Sequence, residues 1–224
     1  MENIFWILMI FVYISVLGIL LITLETWLLA KSKLKPLKTN SIRYNKKLKA
    51  NKVVHQWAEN NDFTFLGVFH IAYNHIATWK YSPKSTFLCL HTFPERSIEL
   101  ITVFENDIIL CTGNNSNLQT PPHFFGYYLQ TFSRISMDDL WHRHTEMENY
   151  LMETGGVKLS ESEITIEDCL NSYRKKQTDH IRSFVGWPVR MIYWFLIRQF
   201  SWTNKSIKDQ YEKGMINLPN EGEN

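Results

Sequence analysis

Glycine is scarce in this chain, nine residues in 224. That leaves little material for a loop that cradles phosphate. Neither G-x-x-x-x-G-K nor G-x-G-x-x-G occurs, and G-x-S-x-G and H-E-x-x-H are missing too. Cysteine is equally sparse: Cys89, Cys111 and Cys169. An odd number at long spacings, with no C-x-x-C, excludes a disulfide framework and agrees with a reducing compartment. There is no internal repeat and no low-complexity tract. Charge, finally, is absent from Ile4 to Leu24, 21 residues in succession.

That uncharged run is the chain's dominant feature. A helix rises about 1.5 Å per residue, so the run covers roughly 30 Å, the thickness of a bilayer's hydrocarbon core. It reads as a transmembrane helix. A cleaved signal peptide would want a preceding positive charge, a shorter core and a small-x-small site; Met1, Glu2 and Asn3 precede this run instead. Glu25 lies just beyond it as a carboxylate facing water, and Trp27 is placed like an interfacial aromatic.

Residues 31–52 carry nine cations and no acid, beginning with Lys31, Lys33, Lys35 and Lys38. Positive flanks stay in the cytoplasm, so the expected topology is single-pass, with the N-terminus outside and the main domain cytoplasmic. Residues 1–52 hold these nine cations against Glu2 and Glu25, a net of +7. The remainder holds 15 cations and 20 acids, a net of −5. A basic arm beside a membrane helix suits anionic headgroups at about 1 kcal/mol per cation. Nucleic acid is not the expected partner, because the body is acidic.

The remaining length suits one domain of ordinary size. Lys46–Asn60 reads as a helix, with Leu48, Val54, Trp57 and Ala58 on one side. Five β-type runs follow: Phe63–His70, Asn74–Tyr81, Thr86–Phe93, Ser97–Phe104 and Asp107–Thr112. Their links are too short for parallel crossovers, so an antiparallel meander is expected. In Ser97–Phe104, Ile98, Leu100 and Phe104 share one face, and Glu99, Ile101 and Val103 the other. Both faces are fairly apolar, so the sheet is expected to be covered on both, by helices or by a partner. Gly113–Pro122 is a loop by composition, and Phe124–Phe132 is a sixth candidate strand with Gly126 as a bulge.

Ser136 and Thr165 each cap a helix, with acids in the first turn. Leu140, His144, Met147 and Leu151 make a stripe facing the sheet. Pro188–Trp202 is amphipathic, with Arg190, Trp194, Arg198 and Ser201 on one face and apolar residues on the rest. It is too short and too charged to span a bilayer. An interfacial or re-entrant helix is the favoured reading, against a core helix or a partner-binding helix. Trp187, Arg190, Trp194, Arg198 and Trp202 are its expected interface residues, beside Trp27 and the lysines of the arm. Asn204–Asn224 reads as a polar tail.

The fold class expected is therefore α+β. A transmembrane helix precedes an antiparallel meander of five to six strands flanked by helices, with a C-terminal amphipathic helix. The divisions are an anchor over 1–30, a basic linker over 31–45, an α+β domain over 46–156, a helical segment over 157–204 and a tail over 205–224.

Candidate chemistry is thin. His142 faces Glu146 and His144 faces Glu148 at i,i+4, a spacing that can hold a metal or orient an imidazole as a base. A histidine in an apolar stripe is more often hydrogen-bonded core, and that reading is preferred. Cys89, His91 and Cys111, with His70 or His75, form a second cluster whose spacing matches no zinc motif. Aromatic clusters at Phe63–Phe69, Phe124–Tyr128 and Trp187–Trp202 suit either a core or an apolar ligand groove. Two glycosylation sequons, at Asn114 and Asn204, are chance matches on the cytoplasmic side. No cofactor or metal is expected. The function expected is a membrane-tethered, non-enzymatic accessory or scaffold module with a protein partner. A membrane-bound His/Glu enzyme and a lipid- or amphiphile-binding domain are the alternatives.

Overall fold

The β-branched and aromatic runs between 63 and 131 form one sheet. The computed structural model describes residues 2–31, 35–36, 52–71, 74–91, 97–115, 126–161, 164–183 and 185–221. Helix α1 (Glu2–Lys31) leads to a two-residue strand β1 (Lys35–Pro36), then α2 (Lys52–Asn60). The strands β2 (Phe63–Ile71), β3 (Asn74–Tyr81), β4 (Thr86–His91), β5 (Ser97–Val103), β6 (Ile109–Gly113) and β7 (Tyr127–Thr131) follow. Helices α3 (Met137–Glu153), α4 (Ile166–Ser183), α5 (Trp187–Leu196) and α6 (Ile207–Glu212) complete the chain. The chain is α+β.

The seven strands lie side by side in chain order. From β1 to β6 every pairing is antiparallel, as the short links from β2 onward require of those strands. The last pairing corrects the expected meander: β7 runs parallel to β6, with Ile109 opposite Tyr127 and Gly113 opposite Thr131. The link after Gly113 is long enough to carry the chain back to the starting edge of β6. Gly126 is no bulge. It turns at φ +85° immediately before β7. The irregularity lies instead between Phe65 and Gly67 on β2, where Gly67 takes φ +143°.

Strands β4, β5 and β6 are buried along their whole length, because helices cover both faces. On one face α2 and α3 pack Val54, Ala58 and Leu140 over Val68, Trp79, Leu88 and Leu100. Further along that face, Met147 and Leu151 of α3 meet Leu110, Tyr128, Ile207 and Leu218. On the opposite face Ile166, Cys169 and Leu170 of α4 pack over Phe87, Ile101, Val103, Ile109 and Leu129. α4, from the segment expected over 157–204, thus closes the second side of the sheet.

The helix ends follow local chemistry. The Ser136 hydroxyl accepts from Asp139 N at 3.1 Å, and the Thr165 hydroxyl accepts from Asp168 N at 3.1 Å. Of the helix expected over Lys46–Asn60, residues 52–60 are helical, while 46–51, with Leu48, lie outside the described residues. Within the segment expected as a polar tail, residues 207–212 form α6. Ser206 and Asp209 form a capping box for α6, and Ile207 and Gln210 are fully buried. At Gly155 an added Cβ would sit 2.7 Å from Leu151 O and 2.9 Å from Pro219 Cδ, so the returning chain presses on the end of α3.

Helix α1 covers the whole uncharged run, though the side chains of only part of it are described. Among the described residues no helix is long and apolar enough to cross a membrane. α1 packs beside α4 and α5.

Burial on both faces predicts that Leu100→Ala and Ile101→Ala, neighbours pointing opposite ways, each cost about 2–5 kcal/mol. Chemical denaturation in detergent measures this; a near-neutral Ile101→Ala would mean that α4 does not cover its face.

Candidate functional site

Under α3 the sheet carries a row of polar side chains on an otherwise leucine-rich face. Thr86 of β4 lies opposite Thr102 of β5, and Thr112 of β6 lies opposite Gln130 of β7. All four are fully buried. His144, from the centre of α3's apolar stripe, is set between them. Its Nε2 is 2.8 Å from Thr102 Oγ1 and its Nδ1 2.8 Å from Thr112 Oγ1.

One hydrogen per hydroxyl fixes the direction of the chain. Thr102 donates to Glu148 Oε2 at 3.3 Å, since a carboxylate only accepts. Thr102 therefore accepts from His144 Nε2–H and from the Thr86 hydroxyl, 2.8 Å away. Gln130 Nε2 donates to Thr112 at 2.9 Å, which frees the Thr112 hydrogen for His144 Nδ1. Glu148, buried on the next turn of α3, closes the chain against Lys84 from the β3–β4 turn. At the other end Gln130 Oε1 accepts from Ile207 N at 3.2 Å, and Gln210 Nε2 donates to Leu129 O at 3.0 Å. The network thus ties β4 through β7 to α3 and α6.

Burial lowers the His144 pKa to about 3, with Lys84 nearby adding to the effect. The imidazole is neutral, enclosed and saturated with hydrogen bonds, so it offers no base to a substrate. His142 and Glu146 are exposed, and Glu146 reaches Arg143, at 3.5 Å. The two i,i+4 pairs expected from the sequence therefore do not act as pairs. Glu148 bonds Lys84 and Thr102, and His144 bonds two threonines.

The opposite face holds the thiols. Cys89, Cys111 and Cys169 are all buried and unbridged. Burial pushes each thiol up, Cys169 to about 12, and the neighbouring Glu99 carboxylate adds to this. Thiols held in that form are inert nucleophiles. Glu99 accepts from His91 Nε2 at 3.2 Å, and Asn74 Nδ2 donates to His91 Nδ1 at 3.1 Å. His91 shares the thiols' face. His70 and His75 do not: they follow the alternation of Val68 and Ala77 onto the α3 side, with ring centroids 4.9 Å apart. The sheet thus divides that expected cluster. Among the described residues no group of three or more His, Cys, Asp or Glu is arranged to hold a metal ion.

The aromatics near Phe63 are core. Phe63 lies 5.8 Å from Trp57, 5.2 Å from Tyr81 and 5.4 Å from Trp141, ring centre to ring centre. Of the expected interface residues, Arg190 and Arg198 are exposed and Trp187 is partly so. Trp194 and Trp202 are both buried, with rings 5.6 Å apart. The side chains of Trp27, Lys31 and Lys35, and residues Lys33 and Lys38, lie outside the described residues. Comparison with protein-family models, curated proteins and solved structures finds no match.

Sequence reading found His144 and Glu148 but not the threonine row. Its only signal is threonine recurring at leucine positions on three strands, which strand propensity alone also produces.

Two outcomes test the network. The unfolded chain takes up a proton at His144 from about pH 6.5 downward, whereas the folded chain refuses it until about pH 3. Stability is therefore complete above pH 6.5 and falls on acidification, by about 1.4 kcal/mol per pH unit within that window. His144→Gln lowers stability at neutral pH and removes this slope in denaturation midpoints measured against pH. Separately, Lys84→Met strands a buried carboxylate and costs about 3–5 kcal/mol, of which Lys84→Met/Glu148→Met recovers part.

Proposed function

We propose that this chain is a membrane-tethered accessory module, which presents a folded domain at the cytoplasmic face and works by holding a partner protein there. The observation that carries this is the surface of α1. Most of its described apolar side chains lie exposed, among them Ile7 at 67%, Tyr13 at 70% and Ile14 at 61%. Contiguous apolar surface of that extent is rare where water is the solvent. The uncharged run Ile4–Leu24 has the length of a hydrocarbon core, and helix geometry extends through all of it. The nine cations that follow favour the cytoplasmic side for the domain.

The chemistry of the two sheet faces supports a role without catalysis. The best-placed histidine is enclosed and neutral, and the three thiols are enclosed and protonated. What the domain does offer is a rigid, two-sided sheet with a mildly acidic body, suited to contact rather than turnover.

Membranes from cells making the full chain test the tether. The protein stays in the pellet after carbonate washing, and a cysteine placed at exposed Glu161 stays unreactive to an impermeant reagent in intact cells. The buried native thiols leave a clean background for that measurement. Purification in mild detergent then yields a stoichiometric second protein. Release by carbonate overturns the tether, and a lone monomer overturns the accessory role.

A further inference from the structure

Helix α5 presents two different sides. Trp194 faces inward and packs on Trp202. Away from Trp194 an exposed apolar stripe runs through Val189 and Tyr193, one turn apart, with Val185 just before the helix and Ile197 and Phe200 beyond its end. Each is between 51% and 94% exposed. The stripe starts in the turn before α5 and continues into the 3-10 turn Arg198–Ser201. Arg190 and Arg198, both exposed, stand one turn either side of Trp194.

An apolar stripe of this kind needs a cover. The domain does not supply it, because Trp194 already fixes which side of α5 meets the protein. α5 packs beside α1, and most of α1's described apolar residues are exposed too. The two uncovered surfaces therefore belong to adjacent helices. If lipid surrounds α1, a neighbour that turns its apolar side outward meets the same lipid.

We infer that the stripe Val185–Val189–Tyr193–Ile197–Phe200 is a second membrane-contact site, seated in the bilayer beside α1 while Trp194 holds α5 to the domain. The inference rests on the reading of α1 as an anchor. Docking on the domain and lying in the membrane interface are then not rivals, since opposite sides of one helix do each. Two points of attachment fix how the domain sits on the bilayer, which a single helix and a basic arm would leave free to rotate.

Fluorescent labels report this in the full chain. Val189→Cys, Tyr193→Cys and Phe200→Cys, with Glu161→Cys as a reference, are labelled with an environment-sensitive dye; the native thiols are buried. The proteins are reconstituted into phosphatidylcholine–phosphatidylserine vesicles, and circular dichroism checks each fold. The three stripe labels are expected to be quenched several-fold more by acyl-chain nitroxide lipid than the label at 161, and several-fold less by aqueous iodide. Iodide reaching the stripe as readily as position 161 overturns the inference while leaving the anchor intact, provided the protein floats with the vesicles. Labels shielded from both quenchers also overturn it, because protein rather than lipid then covers the stripe. Failure of the full chain to float overturns both readings together.

Discussion

A buried imidazole must have both nitrogens satisfied, and most of this domain is arranged around meeting that demand. His144 enters a face otherwise made of leucine, valine and tryptophan. An unsatisfied polar atom there would cost about 1–3 kcal/mol. The two hydroxyls that answer it come from different strands, Thr102 on β5 and Thr112 on β6. Each hydroxyl then needs a further partner, and those partners come from β4, β7 and α3. The demand propagates outward until it ends at a carboxylate paired with Lys84 on one side and at the backbone of α6 on the other. Such a chain has one direction and one register. Sliding α3 by a residue, or β6 against β5, breaks several links at once, so the network specifies the arrangement more strongly than apolar packing alone would.

The C-terminal return follows from the same constraint. Gln130 sits on the edge strand β7, where nothing from the sheet lies beyond it. Its carbonyl accepts from Ile207, and Gln210 reaches back to Leu129 O. A parallel edge strand is buried on both faces only if something covers its outer end. Here α6 and Leu218 provide that cover, over Tyr128.

Local signals in the sequence were legible; long-range ones were not. The strand cores, the caps at Ser136 and Thr165 and the stripe from Leu140 to Leu151 could be read because each depends on neighbours a few residues away. The opposed burial of Leu100 and Ile101 was also readable, since alternation alone places them. The parallel β6–β7 pairing was hidden, because it depends on where a long link returns rather than on the strands it joins. So was the fate of 205–221: a polar, charged segment looks like a tail unless one sees that Ile207, Gln210 and Leu218 fill the end of the core. For His144 the preferred sequence reading, a hydrogen-bonded core histidine, is the arrangement found. Its partners were unreadable, since a threonine chosen for strand propensity and one chosen for its hydroxyl are the same letter.

The two faces of the sheet divide the molecule's chemistry unequally. The α3 face spends its polar groups on one another. The α4 face encloses three thiols with Glu99 and His91. The exposed apolar side chains of α1 and those in and beside α5 belong to helices in contact with each other. α4 links them to the domain, because it packs on the sheet with Ile166, Cys169 and Leu170 and lies against α1 as well. α5 has a tie of its own, through Trp194 on Trp202 and, just beyond it, Asn204 N donating to Thr131 O of β7 at 2.7 Å.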